Sequence, residues 1–314
     1  MRWIVLAAVG LLVWPSVQPS GKSQQAAGVS RPFTGVTYID REATTPRAVH
    51  LHVVQIDLRA TGIRLKLSPG GGRHEVVRQT VLEFLTAERA QIAINAHFFY
   101  PWPTTDSDVD VIGFAASEGM VYSGFETPAQ RYALLADAPA LNIDRRNRAG
   151  IVHRDPRAVD GKRVRERVSI WTAIAGSAQI ATDGQVTIPQ YRDEAHPAGA
   201  LEPGGAGATP FSNARSWYDG VTARSAIGLS KDGRTLTLFT VDARGGSLGL
   251  TPGEVATMLT RDYGVWQALN LDGGGSTTLV MEDPVTHVAR LVNTSSDNPA
   301  GRSVGSTLAV FARQ

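Results

Sequence analysis

Apolar and polar residues alternate through 50–58, HLHVVQIDL, and again through 63–67, IRLKL. A period of two sends every second side chain to the same face. Both segments therefore read as strands, and Thr61–Gly62 between them reads as the turn of a hairpin. The period changes in residues 76–90, where Val77, Val81, Phe84 and Leu85 share one helical face. QIAIN then reads as a short buried strand ending at Asn95, and further strands are expected around 111–116, 120–123, 131–136 and 168–175.

The same order returns near the C-terminus. TPGEVATMLTRDYG opens with Thr251 as N-cap, Pro252 at the first helical position and Glu254 placed to close a capping box. Gly264 stops that helix, VWQALNL follows as a strand, and Asp272 stands at its end as Asn95 does in the first unit. Upstream, SAIGLSKDGRTLTLFTVDARGG reads as a hairpin turning at Lys231–Gly233, whose second strand delivers Asp242 and Arg244 to its exit. Residues at strand ends and in the loops beyond them are where sites are usually built. Residues 189–220 are too long and too rich in Pro and Gly for a plain connection, and suggest a cover over a site.

Composition adds limits. The 314 residues are 42% hydrophobic and 19% charged, a globular balance. A net charge of +2 is too small to indicate a nucleic-acid partner, and the absence of cysteine excludes disulfides, thiolate metal sites and cysteine nucleophiles. At the N-terminus one arginine precedes an apolar core from Trp3 to Val13, broken by Pro15 and Pro19. This has the length of a signal-peptide core and is short for a membrane span. Residues 1–28 are accordingly read as signal peptide and short linker, and 29–314 as one exported domain, periplasmic or extracellular. With no cysteine after the apolar core, a lipoprotein anchor is ruled out, and no stable membrane anchor is expected after cleavage.

The chemistry concentrates in LDGGGST. A Walker loop requires lysine where Gly275 stands, and a dinucleotide fingerprint requires a helix where the strand-like STTLVM follows. A serine-hydrolase elbow requires flanking glycines that Ser276 lacks. What remains is a backbone without Cβ atoms at Gly273, Gly274 and Gly275, beside the carboxylate of Asp272. It suits close approach of a bulky polar ligand, with successive N–H groups available to anionic oxygens.

In order along the chain, INAHFF, RSAIGLSKDG with LFTVDAR, ALNLDGGGST and NPAGRSVGSTLAVF resemble the signatures of the phosphodiester glycosidase family. The resemblance runs from about residue 50 to 312. It implies an α+β single domain with a large mixed, mainly antiparallel β-sheet flanked by helices. It also implies hydrolysis of a sugar-1-phosphodiester or related glycosidic bond, with a carbohydrate or glycosyl-phosphodiester as partner; no cofactor is assigned. Where the family has Asn-Gly-Gly, this chain has Asn95-Ala96-His97. His97 is thereby a candidate acid/base or substrate-binding group, although a histidine beside Phe98-Phe99 is more often a packed structural residue.

The chemistry of such a cleavage assigns candidate roles. An oxocarbenium-like state calls for a carboxylate near the anomeric carbon, for which Asp272 and Asp242 are the candidates. Bidentate arginine contacts suit the phosphate oxygens, and Arg224, Arg244 and Arg302 are the candidates. Asn95, Asn270 and Ser276 are candidates for hydrogen bonds to the sugar. The alternatives are a non-catalytic carbohydrate-binding domain and an envelope polysaccharide assembly protein using the basic run 145–167. That run reads first as a solvated surface excursion. Metal ligation finds little support. In DSDVD, Val111 and Ser117 replace the glycine and glutamate of a calcium loop. HLH puts His50 and His52 on one strand face, but the sequence identifies no third ligand, so no metal is assigned.

Overall fold

The computed structural model describes residues 28–125, 138–188, 219–294 and 297–314. Among them every named strand pairing is antiparallel. The class is the α+β one, with antiparallel sheet dominant, but the strands divide among several sheets. The largest has eight strands in the order Gly28–Phe33, Val36–Ala43, Val49–Asp57, Thr235–Val241, Arg224–Ser230, Val265–Asn270, Ala178–Thr182 and Gln185–Val186. A five-stranded sheet runs Ala289–Leu291, Leu279–Glu282, Ile92–Asn95, Thr307–Phe311 and Arg64–Leu67. A second five-stranded sheet contains Thr172–Ala175 and Ala140–Ile143.

Four layers result. Val54, Ile56, Leu236, Leu238, Ile227 and Leu269 of the large sheet pack against Leu65, Leu67, Ile92, Ile94, Leu308 and Val310 of the first five-stranded sheet. On its outer face the large sheet uses Leu51, Val53, Phe239 and Ala268 to bury Val255, Met258 and Leu259 of helix α2 (Pro252–Tyr263). The smaller sheet uses Ala93, Val280 and Ala309 to bury Val81, Phe84 and Leu85 of helix α1 (Val81–Glu88). Strands buried on both faces explain why QIAIN has no alternation.

Both helices begin as their chemistry requires. Thr251 and Glu254 form the expected capping box on α2, which ends at Gly264 with φ 66°. At α1 the box is Thr80 with Glu83, so the helix starts five residues later than its periodicity suggested. Val77 lies in a short strand and is exposed. The hairpin of Arg224–Ser230 with Thr235–Val241 forms as expected. The one anticipated between 50–58 and 63–67 does not. Val49–Asp57 pairs with Val36–Ala43 and Thr235–Val241, whereas Arg64–Leu67 pairs with Thr307–Phe311 in the other sheet. The turn crosses between layers because Leu58, Ile63 and Leu65 are all needed in the core between the sheets. The segments 131–136 and 189–218 lie outside the described residues.

Candidate active site

Register across the large sheet turns core into site within two residues. The row Tyr38, Val54, Leu238, Ile227 and Leu269 belongs to the inter-sheet core. Two residues along each strand, on the same face, the aligned row reads Asp40, His52, Thr240 and Ser225. Asp242 follows Thr240 by two, and His50 precedes His52 by two. A period-two pattern that is apolar through most of the sheet thus becomes polar at one end, where Asn95 and the glycine loop also arrive.

Asn95 is the brace of this end. Its side chain donates to the carbonyl of Asp272 at 2.6 Å and accepts from the Ser225 hydroxyl at 2.6 Å and the Thr278 amide at 3.1 Å. Fully buried, it ties the end of Ile92–Asn95 to both flanks of the glycine loop and to the large sheet. With both functional groups engaged, it positions the site.

Each glycine in the loop has its own reason. A Cβ at Gly273 would stand 2.9 Å from the carbonyl of Ala223, and one at Gly275 would collide with the guanidinium of Arg302. Gly274 has φ +59° and nothing within 4 Å of where a Cβ would be, so the backbone conformation, with open space in front, requires glycine there. Residues Gly274–Ser276 form a short 3-10 turn. The amides of Gly273, Gly274, Ser276 and Thr277 are spent inside the loop or on Ala223, so the expected open row of donors is mostly closed.

Asp272 sits in this turn, buried, accepting from the Gly273 amide at 2.9 Å and from the Ser276 hydroxyl. Burial pushes its carboxyl up to about 6, against the opposing pull of Ser276, Arg302 and the Gly273 amide. Arg302 donates to Asp297 at 2.6 Å and to Ser276 at 3.3 Å, and lies 4.1 Å from the centre of the Trp102 ring. Asp242 is joined to the same region through Asn293, whose amide donates to Asp242 at 3.2 Å and to the Thr277 carbonyl at 3.1 Å. The Thr294 amide adds a bond to Asp242 at 3.0 Å.

The remaining candidates divide. Arg224 is buried and donates to the carbonyls of Leu250 and Gly220, holding the entry of its own strand. Arg244 is exposed, two residues beyond Asp242. Asn270 is buried, donating to Ser177 at 2.8 Å, with its Oδ1 lacking a hydrogen-bond partner. His97 is fully buried. Its Nε2 lies 2.9 Å from the Ala175 amide and 3.2 Å from the Phe114 carbonyl, and its Nδ1 lies 2.8 Å from the Ser306 hydroxyl. Burial pulls its pKa down to about 4. It is a buried crosslink between layers.

Sequence reasoning passed over Ser225, Asn293, Trp102 and Asp40. Ser225 and Asn293 look like ordinary polar residues beside strands, and only pairing reveals what they hold. In the basic run 145–167, Arg157 and Arg163 pair with Asp155 and Arg165 with Glu166, as a solvated surface excursion would. A cleft of about 580 Å³ lined by Gly35, Asp57, Thr235 and Gln314 contains none of the candidate residues.

A raised, buried carboxyl at a strand end, with an arginine beside it, marks a candidate functional site. The chain belongs to the phosphodiester glycosidase family, whose model matches residues 88–311, well over half its length. That family is one of glycosidase-type hydrolases. No curated protein sequence matches the chain. Among solved structures it is similar to the zebrafish N-acetylglucosamine-1-phosphodiester alpha-N-acetylglucosaminidase catalytic domain, auto-inhibited by its pro-peptide. The TM-score is 0.59 at 19% identity, covering 95% of this chain and 92% of that one. A hypothetical protein from Synechocystis superposes with TM-score 0.60 at 16% identity over 93% of this chain; the chain spans only 64% of that protein. A putative exported protein from Burkholderia pseudomallei K96243 gives TM-score 0.54 at 17% identity, over 84% of this chain and 74% of that one. These likenesses establish the fold. Among the described residues no helix is long and apolar enough to cross a membrane.

Proposed function

We propose that the protein is an exported hydrolase cleaving a sugar-1-phosphodiester or related glycosidic bond in envelope or extracellular glycans. The observation that carries this reading is Asp272: a buried carboxyl, raised to about 6, at the mouth of a glycine turn where no atom of the described residues lies within 4 Å of a Cβ placed on Gly274. As the carboxylate it stabilises positive charge developing at the anomeric carbon. A departing phosphate monoester, with a second pKa near 6, requires less protonation than an alkoxide. Arg302 and the exposed Arg244 supply cations for its oxygens, and the exposed ring of Trp102 offers an apolar face to a sugar. Export is supported by the signal-like N-terminus.

The test is a panel of N-acetylglucosamine-1-phosphodiesters and envelope glycans with product identification. Release of a reducing sugar by the wild type, and its loss in Asp272→Asn, is the expected result. Saturable glycan binding with no turnover on any member would instead favour a carbohydrate-binding protein.

A further inference from the structure

We propose that His50, His52 and Asp242 form a binding site for one divalent transition-metal ion of the zinc class, oriented by Asp40 and Tyr38. Asp242, just beyond the neighbouring strand, presents Oδ2 to both imidazoles. His52 Nε2 lies 3.4 Å from Asp242 Oδ2, and His50 Nδ1 lies 3.7 Å from the same oxygen. Two ligands at zinc distances of about 2.0–2.1 Å, set at a tetrahedral angle, stand about 3.3 Å apart. The observed spacings therefore fit two ligands of one ion with small adjustments.

The second observation is independent of that spacing. His52 is 1% exposed, and its Nε2 is buried without a hydrogen-bond partner. A buried polar atom left this way is costly unless something accepts its lone pair. Asp242 is equally buried; its Oδ1 accepts from Asn293 and Thr294, and its Oδ2, which the Thr294 amide also reaches at 3.1 Å, keeps its remaining lone pair toward the histidines.

The distal ring nitrogens complete the pattern. His52 Nδ1 is 2.8 Å from the Tyr38 hydroxyl, and His50 Nε2 is 2.6 Å from Asp40 Oδ1. Metal-bound histidines regularly hold their other nitrogen this way, which fixes the ring and directs the free lone pair at the metal. Asp40 itself is too close to His50 Nε2 for the two to be ligands of one ion, which is why it is assigned the outer role. Two imidazoles and one carboxylate suit zinc and its neighbours better than calcium or magnesium. A cleft of about 560 Å³ is lined by the outer residues Tyr38 and Asp40 together with Arg290 and Val292, and His50 itself is partly exposed. Three protein ligands leave a further coordination position to water or an oxygen ligand.

The proposal is independent of the glycosidase reading, because its test measures binding. Untagged mature protein, stripped with EDTA and dialysed, is titrated calorimetrically with zinc, manganese and calcium salts. One equivalent of zinc should bind more tightly than calcium. The His50→Ala/His52→Ala double variant should lose this binding. Asp40→Asn and Tyr38→Phe should each weaken it by about 10–100-fold with the melting temperature in EDTA little changed. If the double variant fails to fold, His50→Gln, at the partly exposed ligand, decides the matter by the same loss. Absence of stoichiometric zinc binding by the wild type would overturn the proposal. Undiminished affinity in His50→Gln and Tyr38→Phe, or a preference for calcium, would do so equally.

Discussion

At residue scale, two ionisable side chains are pushed in opposite directions by the same cause. Burial raises Asp272 to about 6 and lowers His97 to about 4, since in each case the charged form is the one penalised. If Asp272 acts as a carboxylate, kcat/KM rises with pH through about 6, and Asp272→Asn removes both that limb and most of kcat. Stability moves the other way. A carboxyl raised on folding contributes stability that is full below its unfolded pKa of about 4 and lost as pH rises through about 6. Asp272→Asn should therefore gain stability relative to wild type as pH rises from 4 to 8, by up to about 3 kcal/mol, read as a higher melting temperature. An unchanged pH–rate profile would remove Asp272 from the chemistry. His97→Gln should lower the melting temperature while leaving the profile between pH 5 and 8 in place, and a missing limb in that range would restore His97 to the reaction.

At the scale of elements, the site depends on strand ends being locked together. Asn95 connects three segments with buried hydrogen bonds, and its removal strands a hydroxyl, an amide and a carbonyl. Asn95→Ala should cost about 3 kcal/mol, measured by urea denaturation, and lower kcat by loosening Asp272. Ser225→Ala removes a single bond and should cost about 1 kcal/mol. Equal losses for the two would show that Asn95 is no more than one local contact. The second half of the pattern, helix, strand, Asp272, was legible because caps and glycines are local signals. The hairpin wrongly expected at Thr61–Gly62 shows the limit of such signals. Alternation identified both strands but carried no information about which sheet each would join.

For the whole molecule, the inter-sheet core is what holds the polar end in register. Leu238 is fully buried in the row immediately next to Asp40, His52, Thr240 and Ser225. Leu238→Ala should destabilise by about 2–5 kcal/mol, read as a lower denaturation midpoint. The equivalent truncation of the exposed Leu248 should change stability by less than about 0.5 kcal/mol. A similar small effect at both positions would mean that the two sheets are not packed as described.

The sequence by itself determined the strands around Asn95, Asp242 and Asp272, both helix caps' chemistry at Thr251 and Gly264, and the family through its ordered motifs. These are short-range facts, set by periodicity, turn residues and backbone freedom. It also singled out HLH, and there it stopped, because Asp40 and Asp242 lie 10 and 192 residues from His50 in the chain. Only the antiparallel pairing of Val36–Ala43, Val49–Asp57 and Thr235–Val241 lays them on one face of one sheet. Tertiary structure likewise decided that His97 is sealed between layers and that Asn95 is a brace. Burial and hydrogen-bond partners are properties of what packs against a residue, and local pattern does not contain them.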